Sequence, residues 1–328
     1  MKLYQSILRR SWKITKAHHL LWVYGFFAII WIEQGIDFEL IFSNLDLLQA
    51  PLSPFNPEFW DVEQWRLLAE AVGLSGPVIA IFSVGMIVLI VCALLFAILS
   101  QIGLIDAYNK YDTELGDISS KRKSPQITDD YTLTHTFTAA QKHFWPIVGV
   151  NILGHGFRYA LLAGAVLPFF LPTISPLVAW ALLLLFTPIM ILVSIVTRYA
   201  TNAVIVNNQP TIKAFSMGIE IFKRNVGISI ELAVLMIISY TVVNMLTVAV
   251  VFIVTAPLVA FSSALFIWAG LYDILAFIGL FSGLLVFAGL TMTSSLFASW
   301  HSGNWTILFK QLTTGSKQSK IYRLWKGE

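Results

Sequence analysis

The chain has 328 residues, 57% of them hydrophobic and only 12% charged, with a net charge of +3 and a mean hydropathy of +0.76. A soluble domain carries about 25% charged residues, so this composition excludes the soluble classes and points to an integral membrane protein. The single cysteine, Cys92, excludes an internal disulfide and a cysteine-rich metal site.

Residues 1–16 carry Lys2, Arg9, Arg10, Lys13 and Lys16 and no acid, with Leu3, Ile7 and Ile14 on one helical face. That pattern predicts a basic amphipathic helix suited to an anionic membrane surface. A first span follows at about 17–36, with Trp22, Tyr24 and Trp31 as interfacial anchors. No small-residue cleavage pattern follows it, so it is read as a retained span.

The connection 37–76 holds seven acids against the lone Arg66 and is broken by Pro51, Pro54 and Pro57. Asn56-Pro57-Glu58 reads as a helix start. The second span, about 77–105, has no formal charge. A hydrophilic stretch follows, with a solvated loop at Ser119–Gln126 and a surface helix at Tyr131–His143.

The third span, about 146–172, carries Asn151, His155 and Arg158 at steps of four and three, which puts all three on one face. An arginine near the bilayer centre costs about 2.5–3.5 kcal/mol on insertion scales, so the protein must offset it. The stripe predicts either a pocket for an anionic group such as a lipid phosphate, or a set of contacts that fixes helix packing. Gly149, Gly154, Gly156 and Gly164 around it permit close helix approach.

A tight turn at Pro172–Ser175 leads into the fourth span, about 176–204, with Pro188 and Arg198. The fifth, about 226–256, has Glu231 in its first turns. Arg198 and Glu231 share one depth, and an intramembrane ion pair is expected between them. Residues 257–300 read as one span after a re-entrant or interfacial helix, or as two spans. Charge decides: Arg66 apart, every basic segment falls on one side only if 257–300 holds one span, about 274–299, after an outer helix, with Asp273 at the outer boundary. Gly279 and Gly283 then predict a helix contact within the bundle.

The resulting expectation is one domain over 1–328: an all-α bundle of six transmembrane helices with interfacial amphipathic helices, multi-pass in a prokaryotic plasma membrane, both ends cytoplasmic. Three short signatures, Lys16-Ala17-His18, Gln141-Lys142-His143 and Lys223-Arg224-Asn225, precede the odd-numbered spans. They suggest three copies of one unit in the same orientation: surface helix, span, outer turn, span.

Ser11-Trp12-Lys13 with Lys16, the segment TRYATNAVIVNNQPTIKAF at 197–215, and Phe222-Lys223-Arg224-Asn225 resemble the membrane domain attached to some glycerophosphoryl diester phosphodiesterases. They also resemble related six-span prokaryotic proteins. The resemblance implies a fold and a membrane setting. The hydrolase chemistry of that family belongs to a separate soluble barrel, for which the hydrophilic stretches here leave no room.

Phosphate-loop, nucleophile-elbow and HExxH motifs are absent from the sequence, and the six histidines do not converge on a metal. No enzyme activity, cofactor, metal or nucleic-acid partner is expected. Membrane lipids, anionic ones first, and a membrane or envelope protein are the expected partners. The leading functional expectation is a non-enzymatic lipid-binding or envelope-assembly module. The alternative is a small-molecule or lipid transporter using the polar face of the third span. The sequon Asn304-Trp305-Thr306 falls on the expected cytoplasmic side and should be unmodified.

Overall fold

In the computed structural model the described residues are 2–28, 76–121, 133–171, 174–269 and 272–314. They form eight α-helices and no strand. The helices are α1 (Lys2–Ala17), α2 (Leu20–Ala28), α3 (Gly76–Lys121), α4 (Leu133–Val166), α5 (Pro176–Asn207), α6 (Thr211–Arg224), α7 (Val226–Ala269) and α8 (Tyr272–Thr314). The acidic connection, residues 29–36 of the first span, most of the basic loop and the C-terminal tail lie outside the described residues.

Among the described residues five helices are long and apolar enough to cross a membrane: α3, α4, α5, α7 and α8. Their apolar surface divides sharply along their length. On α3, residues 81–91 are exposed, Ile81 at 72%, whereas Ile102, Leu104 and Tyr108 are fully buried. On α5 and α8 the buried stretches are Ile195–Ile205 and Phe297–Leu312. Exposed apolar bands of this extent are incompatible with water, so this is a membrane-embedded protein. One end of the bundle is a packed core, and the other presents its side chains to lipid.

Several expected boundaries differ. The surface helix at 131–143 is not separate: α4 runs unbroken from Leu133 through Pro146 into the third span. Likewise α3 continues past residue 105 to Lys121. The outer helix expected at 257–273 does not form, because α7 runs through Pro257 to Ala269. A proline removes one donor and crowds one carbonyl, but a run of apolar residues on both sides keeps the helix going. At Gly279 and Gly283 no helix contact occurs among the described residues: a Cβ at either would meet nothing within 4 Å.

The α1 helix docks on protein. Ile7, Ser11, Ile14 and Thr15 form its buried face, packed on α8 and α3. The Ser11 hydroxyl donates to the Trp300 carbonyl at 2.9 Å, and the Thr15 and Tyr108 hydroxyls are bonded at 2.6 Å. The apolar face expected to lie on lipid is therefore used inside the bundle, while Arg9, Arg10, Lys13 and Lys16 stay exposed.

The three-unit reading gains a register. Close approaches occur between Gly303 and Ser11, between Gly103 and Thr136, and between Gly218 and Ala200. Ser11, Thr136 and Gly218 each stand seven residues before the last residue of a signature: His18, His143 and Asn225. All three of those are buried. Each entry segment thus packs on a span of the preceding unit, cyclically. The second span of each unit, α3, α5 or α8, contacts the other two, so these three helices form the centre. The departure from the pattern is α4, which is continuous where α1 and α2, and α6 and α7, are broken.

Candidate functional site

A cavity of about 40 Å³ lies where α3, α5 and α8 meet. Gln101 and Ile105 line it from α3; Ser194, Thr197, Arg198, Thr201 and Asn202 from α5; His301, Ser302 and Trp305 from α8; and His155 from α4. The unit register explains which residues arrive. Gln101, Arg198 and His301 each stand two residues before the small residue at a close approach, Gly103, Ala200 or Gly303. One turn later come Ile105, Asn202 and Trp305. The same two positions of each unit thus face one axis.

Each wall is held by specific bonds. The Arg198 guanidinium lies over the Trp305 ring, 5.4 Å from its centroid, a favourable cation–π arrangement. The Trp305 indole N–H donates to His301 Nε2 at 3.0 Å. The Asn202 amide NH2 donates to the Arg198 carbonyl at 2.8 Å. Thr197 and Thr201 hydroxyls donate to the carbonyls of Val193 and Thr197, both at 2.8 Å. Asn202 Oδ1 and His301 Nδ1 are buried and have no hydrogen-bond partner among the described residues. Orphaned polar atoms in a packed core cost about 1–3 kcal/mol each, and these two belong to residues that line one cavity.

The stripe on α4 faces inward, as Asn151, His155 and Arg158 are all buried while Ile152, Phe157 and Tyr159 are exposed. The three do not share one pocket. Asn151 donates to the Gln101 side-chain oxygen at 2.9 Å and so props one wall. His155 lines the cavity. Arg158, with its guanidinium 4.9 Å from the Tyr159 ring centroid, is not among the lining residues but is near enough to Arg198 for their charges to interact. Of the two residues expected as an ion pair, Arg198 lies over the Trp305 ring and lines the cavity, and Glu231 accepts a hydrogen bond from the Tyr4 hydroxyl.

Sequence reasoning missed Gln101, Asn202, His301 and Trp305. The usable signal was a polar residue, one intervening residue and a small residue in each even-numbered span: Gln101-Ile102-Gly103, Arg198-Tyr199-Ala200 and His301-Ser302-Gly303. No group of three or more His, Cys, Asp or Glu side chains able to hold a metal occurs among the described residues. The sequon residue Asn304 is fully buried.

Comparison with family models, curated proteins and solved structures finds no match.

Proposed function

We propose that the chain is a non-enzymatic membrane module whose axial cavity binds the anionic headgroup of a membrane lipid. The observation that carries this reading is the charge of the cavity. Arg198 lies on its wall with Arg158 close behind, and no lining residue is acidic. Two neighbouring guanidiniums in a poorly solvated core repel each other and each pays a desolvation cost. An anion in the cavity offsets both terms, through charge-assisted hydrogen bonds to Arg198 and at longer range for Arg158.

On the cytoplasmic-ends topology, the packed end of the bundle is the inner one, since α5 ends there and leads into the basic α6. The cavity then lies in the inner half of the bundle, on the side where anionic lipids supply a negative surface. The exposed basic face of α1 lies at the same end and favours the same lipids. A transport route along the third span would need a water-filled path to Arg158, a residue only 6% exposed and outside the lining.

Native mass spectrometry of the purified chain beside an Arg198→Gln variant tests the proposal. The wild type should retain an anionic lipid through detergent exchange. The variant, folded by its tryptophan fluorescence, should lose it. Equal retention by the two, or retention of zwitterionic lipid only, would sink the proposal.

A further inference from the structure

We infer that the cavity selects a phosphomonoester, an oxyanion that keeps a proton to donate, over fully ionised oxyanions such as sulfate or a phosphodiester. The inference rests on the anion-binding reading and deepens it. It comes from the fixed directions of two hydrogen-bonding groups. An indole N–H can only donate. His301 Nε2, receiving the Trp305 N–H at 3.0 Å, is therefore the unprotonated nitrogen of a neutral ring. The proton sits on Nδ1, the atom without a partner among the described residues. His301 thus offers the cavity a neutral N–H donor.

Asn202 is fixed the opposite way. Its NH2 donates to the Arg198 carbonyl at 2.8 Å. Flipping the amide would set oxygen against oxygen, so Oδ1 stays the free acceptor on the wall. The site therefore presents a cation, a neutral donor and an uncharged acceptor together. A sulfate or a phosphodiester satisfies the first two and leaves Asn202 Oδ1 buried without a proton to accept. A phosphomonoester, with its second ionisation near pH 6, carries a P–OH for part of the time at neutral pH. It can donate that proton to Asn202 while its other oxygens take Arg198 and His301.

Size agrees with chemistry. A water-sized group needs about 10–15 Å³ of such space, so a cavity of about 40 Å³ admits roughly three. That is the number of terminal oxygens on a phosphoryl group. A monoester has one arm to carry out of that space, and a diester has two.

The test is calorimetric titration of the full-length detergent-solubilised chain with inorganic phosphate and with sulfate. Phosphate should bind about tenfold more tightly or better, the cost of an unsatisfied buried acceptor. The variant Asn202→Leu should bring phosphate down to the sulfate value while sulfate binding is retained, which also shows that the variant is folded. Equal affinities of the wild type for the two anions would overturn the selectivity and leave the anion site standing. Binding of neither would overturn both. Nanodiscs then assign the source. Phosphatidate that displaces inorganic phosphate where phosphatidylglycerol does not identifies a lipid headgroup. Phosphate binding undisturbed by either lipid identifies a soluble phosphomonoester. Displacement by phosphatidylglycerol as effective as by phosphatidate counts against the selectivity.

Discussion

Gly154 and Gly156 stand two residues apart on α4, and their alanine variants should change stability in opposite directions. A Cβ on Gly154 would lie 2.5 Å from Thr197 Cγ2 and 2.9 Å from Thr197 Cβ. Thr197 cannot turn away easily. It is β-branched and stiff within a helix, and its hydroxyl is bonded to the Val193 carbonyl at 2.8 Å. The strain must be relieved by parting α4 from α5, and overpacking of this kind costs about 1–3 kcal/mol. A Cβ on Gly156 would meet nothing within 4 Å, so that variant shows only the helix-propensity gain of up to about 1 kcal/mol. Thermal unfolding in detergent, followed by the fluorescence of the eleven tryptophans, should place the Gly154→Ala midpoint below wild type and the Gly156→Ala midpoint at or above it. Adding Thr197→Ala should recover most of the Gly154→Ala loss, since the clashing atoms are then gone. Equal shifts for the two glycine variants, or no recovery in the double variant, would refute the claim that α4 and α5 are in backbone-close contact beside the cavity.

Asp112 ties three helices together, with its carboxylate 3.6 Å from Arg10 on α1 and 3.3 Å from Lys310 on α8. Asp112→Asn should lower stability by about 1 kcal/mol, discounted for the half-exposed Arg10, and should make α1 more susceptible to limited proteolysis; unchanged cleavage would count against α1 being clamped at that end. The orientation is open to a chemical test: a cysteine introduced at Ser53 should react with an impermeant thiol reagent from the outer face only, and labelling from the cytoplasmic side would overturn the assignment of both ends to the cytoplasm.

The all-α membrane class was legible because a mean hydropathy of +0.76 leaves few other possibilities. Helix positions were legible because apolar runs of this length are read the same way in any context. Helix ends were less so. Ends were expected at 143 and 256, yet α4 and α7 run on through Pro146 and Pro257, where the apolar run on both sides outweighs one lost backbone bond. The inward face of Asn151, His155 and Arg158 followed from helical spacing alone. What spacing on one helix does not reveal is which other helices arrive opposite, so the stripe stayed open between a pocket and a set of packing contacts, and its members divide between the two: Asn151 props Gln101 and His155 lines the cavity. The pattern at Gly279 and Gly283 states that a helix can approach and not that one does, and among the described residues none does.

The unit register explains why the cavity lies on the axis and why its residues differ. Three equivalent positions converge there, and three copies of a basic residue would set like charges against one another in a medium that screens them poorly. The chain fills those positions with Gln101, Arg198 and His301: an amide, a cation and an imidazole held neutral by Trp305. The next turn repeats the mixture with Ile105, Asn202 and Trp305. Near-threefold backbone geometry thus brings three helices to one point, while the unequal side chains give that point a single strong charge and a direction. That asymmetry, carried by six residues at two repeated positions, is what the proposed anion site rests on, since three identical walls would give a packing seam with no preferred direction.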